Sequence, residues 1–329
     1  MMRFCVIGTN FVTDWLIAAG KECDGFELVA VCSRDEAHAI EYAKKHGARL
    51  AFTSPRQVAA SEDIDAVYIA SPNAMHCSQT VMMLDSGKHV LCEKPIASNS
   101  RELEMMLDAA RRNGCVLLEA IRPAFSPNLE LIREEIAKVG KIRRVSMTYC
   151  QYSSRYDRFS GGEIVNAFDW SLSNASVMDI GVYCVNVLLL LFGYPLSISA
   201  SCVKLENGFE ALGSFIARYD GMLAQVTYSK VNDSRSPFVI EGEDGWVVMS
   251  SVQPLAKDGI TRIDRRTEEA FVMPSRSRED DMVYEVMAFL NIAESGGASS
   301  DRNAQSRAAI RLIDEIRRQN GVVFPSDEY

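Results

Sequence analysis

The sequence is poor in the side chains that build metal and redox centres. It has four histidines (His38, His46, His76, His89) in 329 residues. None stands at metal-ligand spacing, so no metal is expected. Its nine cysteines, at 5, 23, 32, 77, 92, 115, 150, 184 and 202, are odd in number and include no CxxC pair. Cys5, Cys32, Cys92 and Cys115 lie within apolar, strand-like runs, which points to buried free thiols in a reducing, cytoplasmic compartment. Positive charge is also short, with 35 Lys and Arg against 44 Asp and Glu and a net charge of -9. A nucleic-acid partner, which calls for a basic surface, is therefore not expected. A few N–H groups and one Arg can still hold a phosphate on such a protein. Long hydrophobic runs are missing too: the most apolar stretch, 187–192, lies between Asn186 and Gly193 and is about a third of the roughly 20 residues a membrane helix needs. Residues 4–7 run straight into Gly8 without the regions of a signal peptide. The chain is expected to be soluble, with no membrane partner.

What is present is an ordinary globular composition, 47% hydrophobic and 24% charged, in a chain of 329 residues, enough for two domains. In the first 120 residues, short apolar runs alternate with amphipathic segments. Strands are predicted at 3–7, 26–32, 66–70, 89–92 and 116–119, and helices at 13–21, 35–46, 77–86 and 100–112. This alternation, with continuously apolar strands, describes a doubly wound α/β domain over 1–121, built on a parallel sheet. Its ligands belong outside the carboxyl ends of the strands. After residue 122 the predicted strands follow one another, at 141–151, 197–206, 211–217, 223–231, 238–241 and 245–250. Helices are predicted at 128–139, 177–192, 280–294 and 302–320. The reading for 122–329 is an α+β domain with a large, mainly antiparallel sheet.

Five stretches carry candidate chemistry. Gly8-Thr9-Asn10-Phe11-Val12-Thr13 follows the first strand and opens the first helix, as a dinucleotide-binding turn does. It keeps the first glycine of G-x-G-x-x-G but has Asn10 and Thr13 at the other two positions. Asn tolerates a left-handed backbone, so Asn10 is expected to substitute geometrically. A pyrophosphate would then rest on the helix N-terminus. At the end of the second strand, Ser33-Arg34 offers a hydroxyl and a guanidinium where NAD enzymes usually place an acid. That pair suits a 2′-phosphate, so NADP(H) is favoured, with NAD(H) the alternative. Ser71-Pro72-Asn73-Ala74-Met75-His76 closes the third strand, where Asn73 and His76 either contact the cofactor or serve the following helix, Asn73 as its cap.

Cys92-Glu93-Lys94-Pro95 ends the fourth strand with a charged pair that is costly to bury without a task. It places an ammonium near the nicotinamide end of a bound dinucleotide. Val177-Met178-Asp179-Ile180-Gly181-Val182-Tyr183 opens an apolar helix, with Asp179 and Tyr183 four residues apart on one face. A cleft tyrosine exchanges a proton with a substrate hydroxyl if its pKa falls well below about 10; the plain structural alternative is a helix cap and a packed ring. Arg122, Arg155, Arg158, Phe159 and Trp170 are candidates for the substrate side.

Taken in order, these motifs resemble the glucose–fructose oxidoreductase / inositol 2-dehydrogenase / MocA (Gfo/Idh/MocA) family. Leu118-Glu119-Ala120-Ile121, Asp179-x-Gly181-x-Tyr183-Cys184 and Gly321-Val322-Val323-Phe324-Pro325 look closest to the dimeric dihydrodiol dehydrogenase / NADP-dependent xylose dehydrogenase branch. The resemblance implies a Rossmann domain followed by an open-faced sheet that pairs copies into a homodimer or homotetramer. It implies that Lys94 binds near substrate hydroxyl and nicotinamide, that Tyr183 is the proton donor and acceptor, and that Asp179 supports the site. The expected activity is hydride transfer between NADP(H) and a carbinol or carbonyl carbon of a sugar, polyol or trans-dihydrodiol. The alternative is a non-catalytic nucleotide sensor on the same fold, which has no use for Lys94 and Tyr183 together.

Overall fold

The computed structural model describes residues 1–296 and 300–328. It divides into two units: Met1–Ile121 with Met282–Ile310, and Arg122–Asp281 with Arg311–Tyr329.

The first unit is a six-stranded sheet in the order β3-β2-β1-β4-β5-β6, with every pair parallel. Its elements are β1 (Met2–Ile7), α1 (Phe11–Lys21), β2 (Phe26–Cys32), α2 (Glu36–His46), β3 (Leu50–Phe52), α3 (Pro55–Ala60), β4 (Ala66–Ile69), α4 (His76–Asp85), β5 (His89–Glu93), α5 (Ser100–Asn113) and β6 (Leu117–Ala120). The central strands β1, β4 and β5 are buried over most of their length, as a parallel sheet covered on both faces requires. The order reverses between β1 and β4, which puts the ends of β1, β2, β4 and β5 around one switch point. β3 and α3 lie where no element was predicted: three residues and six residues are too short to show a period.

The second unit holds α6 (Asn128–Ile136), β7 (Ile142–Cys150), α7 (Tyr156–Ser160), a π-turn at Val177–Gly181, α8 (Val182–Phe192), and β8 (Ser197–Lys204) to β10 through β9 (Glu210–Tyr219) and β10 (Met222–Ser229). It continues through β11 (Phe238–Gly242), β12 (Gly245–Met249), β13 (Ile260–Asp264) and β14 (Ala270–Met273). The eight strands run β14-β13-β12-β11-β7-β10-β9-β8, parallel only where β10 meets β7. Alternation runs through the middle of β9 and β10: Ala217, Ala224 and Val226 point to the core, while Ile216, Arg218, Leu223 and Gln225 are exposed. One face of this sheet is therefore packed and the other open.

Two helices follow, α9 (Met282–Glu294) and α10 (Ser300–Asn320). The sequence placed everything after 122 in one domain, whereas Met282–Ile310 lies in the first unit. There Phe289 packs at 5.6 Å from Phe4, and Ser306 bonds Glu119. No composition shift marks this return, because α9 is as apolar as a core helix of either unit. The segment 170–192, whose helical turns are interrupted at Ser173, is 23 residues long and by length and composition apolar enough to cross a membrane, but 78% of its most apolar stretch is buried, as in the core helix of a globular unit. All nine cysteines are free, six of them buried. Cys115 is half-buried and lies two residues before β6 begins.

Candidate active site

The turn after β1 shows why position 8 is glycine. Gly8 has φ +104, and a Cβ there would stand 2.5 Å from the carbonyl oxygen of Ala70. Asn10 is not left-handed: its φ is -91 and ψ 175, the extended conformation of an N-cap. Its Oδ1 accepts from the N–H of Val12 at 3.0 Å and of Thr13 at 3.3 Å, and its Nδ2 donates to Ala70 O at 3.1 Å. The cap supplies what the expected second glycine does not, a side chain that fixes the turn on β4. Thr13, at the third glycine position, is fully buried and donates to Gly8 O at 3.0 Å. The turn and the start of α1 thus form a tight, capped helix N-terminus with Thr9, Phe11 and Val12 along it.

Beside it, Ser33 and the exposed Arg34 follow β2. The nearest acid, Asp35, is committed elsewhere: it caps α2, its Oδ1 accepting from the His38 N–H at 2.7 Å. His38 Nε2 in turn lies 2.9 Å from Thr9 Oγ1, tying α2 to the turn after β1. His38 had no role in the sequence reading, since it belongs to no motif.

At the ends of β4 and β5, Ser71 Oγ donates to Gln79 Oε1 at 2.8 Å. Asn73 does not cap α4; it begins a 3₁₀ turn, Asn73–Met75, and Met75 holds the cap position without a side-chain bond. His76 is 1% exposed, with its two ring nitrogens each 2.9 Å from a carbonyl, of Ser71 and of Pro95. Burial lowers its pKa against the pull of those two acceptors. The imidazole therefore staples the Ser71-Pro72-Asn73 loop to the Lys94-Pro95 turn. Glu93 Oε1 accepts from Tyr68 OH at 2.5 Å, and Glu93 Oε2 from the Lys94 N–H at 3.2 Å. Buried Glu119 accepts from Ile96 N–H at 3.1 Å and from Ser306 Oγ at 2.7 Å, and burial raises its pKa. Half-buried Lys94 thus projects from a turn held by three polar anchors. Tyr68 and Glu119 could be found from sequence only as a polar atom and an acid inside apolar strands.

In the second unit, Asp179 stands in the π-turn, a feature frequent at functional sites, and Tyr183 lies in the first turn of α8. Tyr183 is 7% exposed, and its ring meets Tyr149 edge-on, with centroids 5.8 Å apart. Asp179 Oδ2 is 2.7 Å from Lys230 Nζ. The π-turn is clamped from behind. Buried Glu210 accepts from the Val177 N–H at 2.8 Å and from Tyr228 OH at 2.9 Å, and a Cβ on Gly181 would meet the Tyr228 ring at 3.1 Å. Burial raises the pKa of Glu210. Neither Lys230 nor Glu210 was singled out in the sequence, although Lys230 closes an apolar strand as Lys94 does.

The residues expected to line the substrate side have different partners. Trp170 and Arg155 are exposed, and Phe159 stacks on Phe168 with centroids 5.1 Å apart. Arg158 is paired with Glu163 at 2.6 Å. Arg122 is paired with the buried Asp281 at 3.0 Å, where that carboxylate demands a cation. No group of three or more His, Cys, Asp or Glu suited to a metal occurs among the described residues.

This is the architecture of a dinucleotide-dependent oxidoreductase. Residues 2–120 match the oxidoreductase family with an NAD-binding Rossmann fold, and residues 130–248 the GFO/IDH/MocA C-terminal domain. The chain belongs to the Gfo/Idh/MocA family. It is 41% identical over 330 residues to the scyllo-inositol 2-dehydrogenase (NADP(+)) IolU of Bacillus subtilis, covering 100% of both chains. It is 27% identical over 337 residues to the trans-1,2-dihydrobenzene-1,2-diol dehydrogenase of Sus scrofa, covering 98% and 96%. The fold matches that of a levoglucosan dehydrogenase in complex with NADH and levoglucosan, with TM-score 0.84, 20% identity and 97% of each chain covered. The chain is an NAD(P)-dependent dehydrogenase acting on CH–OH groups, and the non-catalytic sensor is set aside.

Proposed function

We propose that this enzyme is an NADP(H)-dependent dehydrogenase of polyhydroxylated substrates, cyclic polyols foremost, with sugars and trans-dihydrodiols in the same chemical range. The observation that carries this reading is the 41% identity over full length to an NADP(+)-dependent scyllo-inositol 2-dehydrogenase. The turn chemistry supports it: Ser33 and Arg34 stand where a 2′-phosphate is read, while Asp35 is turned onto its own helix. The Gly8 turn, Asn10, and the ends of β4 and β5 suit a dinucleotide, and when bound NADP⁺ accepts the hydride from the carbinol carbon.

The protein's part is to bind, orient and move one proton. The turn N–H groups and the α1 dipole hold the pyrophosphate, with Thr9 and His38 fixing the adenosine side. Ser71, Pro72 and Asn73 edge the cofactor site, and His76 keeps their loop in place. The Lys94 ammonium donates a hydrogen bond to the reacting oxygen, which stabilises it as it becomes an alkoxide. The Tyr183 phenolate takes the hydroxyl proton in oxidation and the phenol returns it in reduction. Asp179 orients the substrate; Arg155, Phe159 and Trp170 belong to its surroundings. Copies pair as a homodimer or homotetramer through the open sheet face bearing Ile216 and Leu223, and the enzyme works in the cytoplasm, where its thiols stay reduced.

The test is to titrate NADPH and NADH separately by fluorescence and to screen cyclic polyols, aldoses and diols by nicotinamide absorbance. NADPH binds at least tenfold more tightly, and Arg34→Ala weakens NADPH about 10–100-fold, the worth of a charge-assisted hydrogen bond. Tighter binding of NADH, or no turnover of any polyhydroxylated substrate, contradicts the reading.

A further inference from the structure

Lys230 lies one residue beyond β10 and is 4% exposed. Its backbone is fixed from both sides: its N–H donates to Ala211 O at 3.0 Å, and its carbonyl accepts from the Ser153 N–H at 2.8 Å. From that anchor the ammonium donates to Ala167 O at 3.1 Å and meets Asp179 Oδ2 at 2.7 Å. It sits 5.2 Å from the centre of the Phe168 ring and 5.7 Å from that of Phe209. One buried cation therefore ties the 3₁₀ segment Asn166–Phe168 to the π-turn that leads into the Tyr183 helix.

Burying an ammonium is costly, and among Phe168, Phe209 and Val165 an apolar side chain would fill the same volume. The pair is also lopsided. The Lys230 side chain is 5% exposed and that of Asp179 40%, so the cation faces inward and the carboxylate outward. A carboxylate held by a charge-assisted bond is a fixed acceptor for a hydroxyl.

We infer that Lys230 is a positioning and specificity residue: it holds the Asp179 carboxylate and the Ala167–Phe168 backbone as one wall that accepts a second hydroxyl of the substrate, beside the one oxidised. The inference rests on the function proposed above and deepens it, since it names the wall that reads a second hydroxyl of the polyhydroxylated substrate. Through Ala167, the same ammonium makes the loop 151–174 and the π-turn respond together to a change in either.

The test compares steady-state kinetics of the NADP⁺-loaded enzyme with the best polyol from the screen, for wild type, Lys230→Met, Lys230→Arg, Asp179→Asn and the Lys230→Met/Asp179→Asn pair. Met is unbranched, and its thioether suits the aromatic wall. KM rises at least tenfold in Lys230→Met, while kcat stays within threefold and NADPH affinity is unchanged. Lys230→Arg recovers at least half of the loss in KM on a logarithmic scale. The double variant is no worse than Asp179→Asn, because both substitutions disable the same acceptor. If Lys230→Met does not fold, Lys230→Gln carries the same expectation. An unmoved KM, or effects that multiply in the double variant, overturns the inference. Wild type that oxidises no polyol defeats the proposed function and this inference with it, whereas polyol turnover with an unmoved KM in Lys230→Met defeats the inference alone.

Discussion

Replacing Gly8 by Ala isolates the physical reason for the one glycine that the dinucleotide turn retains. Two costs combine. At φ +104 an L side chain is strained, by about 1–2 kcal/mol. The new Cβ would also lie 2.5 Å from Ala70 O, a backbone atom, and overpacking of that kind costs about 1–3 kcal/mol. Ala70 O is where Asn10 Nδ2 donates, and Asn10 Oδ1 caps α1. Displacing that carbonyl therefore disturbs the helix end proposed to hold the pyrophosphate. Gly114→Ala is the control: φ is +62, but nothing lies within 4 Å of its Cβ, so it bears only the backbone strain. Gly8→Ala is expected to lose about 2–5 kcal/mol and NADPH affinity at least tenfold. Gly114→Ala loses about 1–2 kcal/mol and binds NADPH as wild type does. Urea unfolding and fluorescence titration read both. Equal destabilisation, with NADPH binding intact in Gly8→Ala, would refute the close-approach argument.

Two further predictions concern groups the structure pairs. Asp65 accepts from the Arg3 backbone N–H, Nε and Nη2 at 2.9, 2.9 and 2.7 Å, and the guanidinium holds its pKa below the ordinary 3.8. The folded state thus favours the charged carboxylate, so the pair's contribution is present above pH 3.8 and is lost as pH falls through the lowered value. Asp65→Asn costs about 1 kcal/mol or less at pH 7, given its partial exposure, and urea melts show the gap to wild type closing in acid; a gap that widens in acid contradicts the pairing. Arg122→Leu strips the cation from Asp281, which is 2% exposed, and costs about 3–5 kcal/mol of stability. A large rise in substrate KM with unchanged unfolding would instead return Arg122 to the substrate side.

The first unit was largely legible because its strands are buried on both faces and stand out as apolar runs between amphipathic helices. Gly8, Glu93 and Lys94 were legible for a related reason, since each interrupts such a run at the carboxyl end of a strand. Asn10 was read in sequence with the wrong conformation. Asn suits both a left-handed turn and an N-cap, and only the carbonyl of Ala70, 60 residues away, decides between them. β13 and β14 escaped because their burial is partial: β13 buries only Ile260, and β14, four residues long, alternates only between exposed and half-buried positions. The return of Met282–Ile310 to the first unit is a matter of which core accepts an apolar helix, which local pattern does not encode. Asp179 was read as a residue of an ordinary helix. Its π-turn depends on Glu210, Tyr228 and Lys230, all from strands or strand ends that sequence spacing does not connect.

The central claim is that Tyr183 moves the hydroxyl proton, and Tyr183→Phe tests it most directly. The ring and its edge-on contact with Tyr149 are retained, so only the phenol oxygen is lost. With NADP⁺ and the best polyol, kcat is predicted to fall by about 10²–10⁴-fold while NADPH affinity is unchanged. Turnover within about tenfold of wild type would contradict the account.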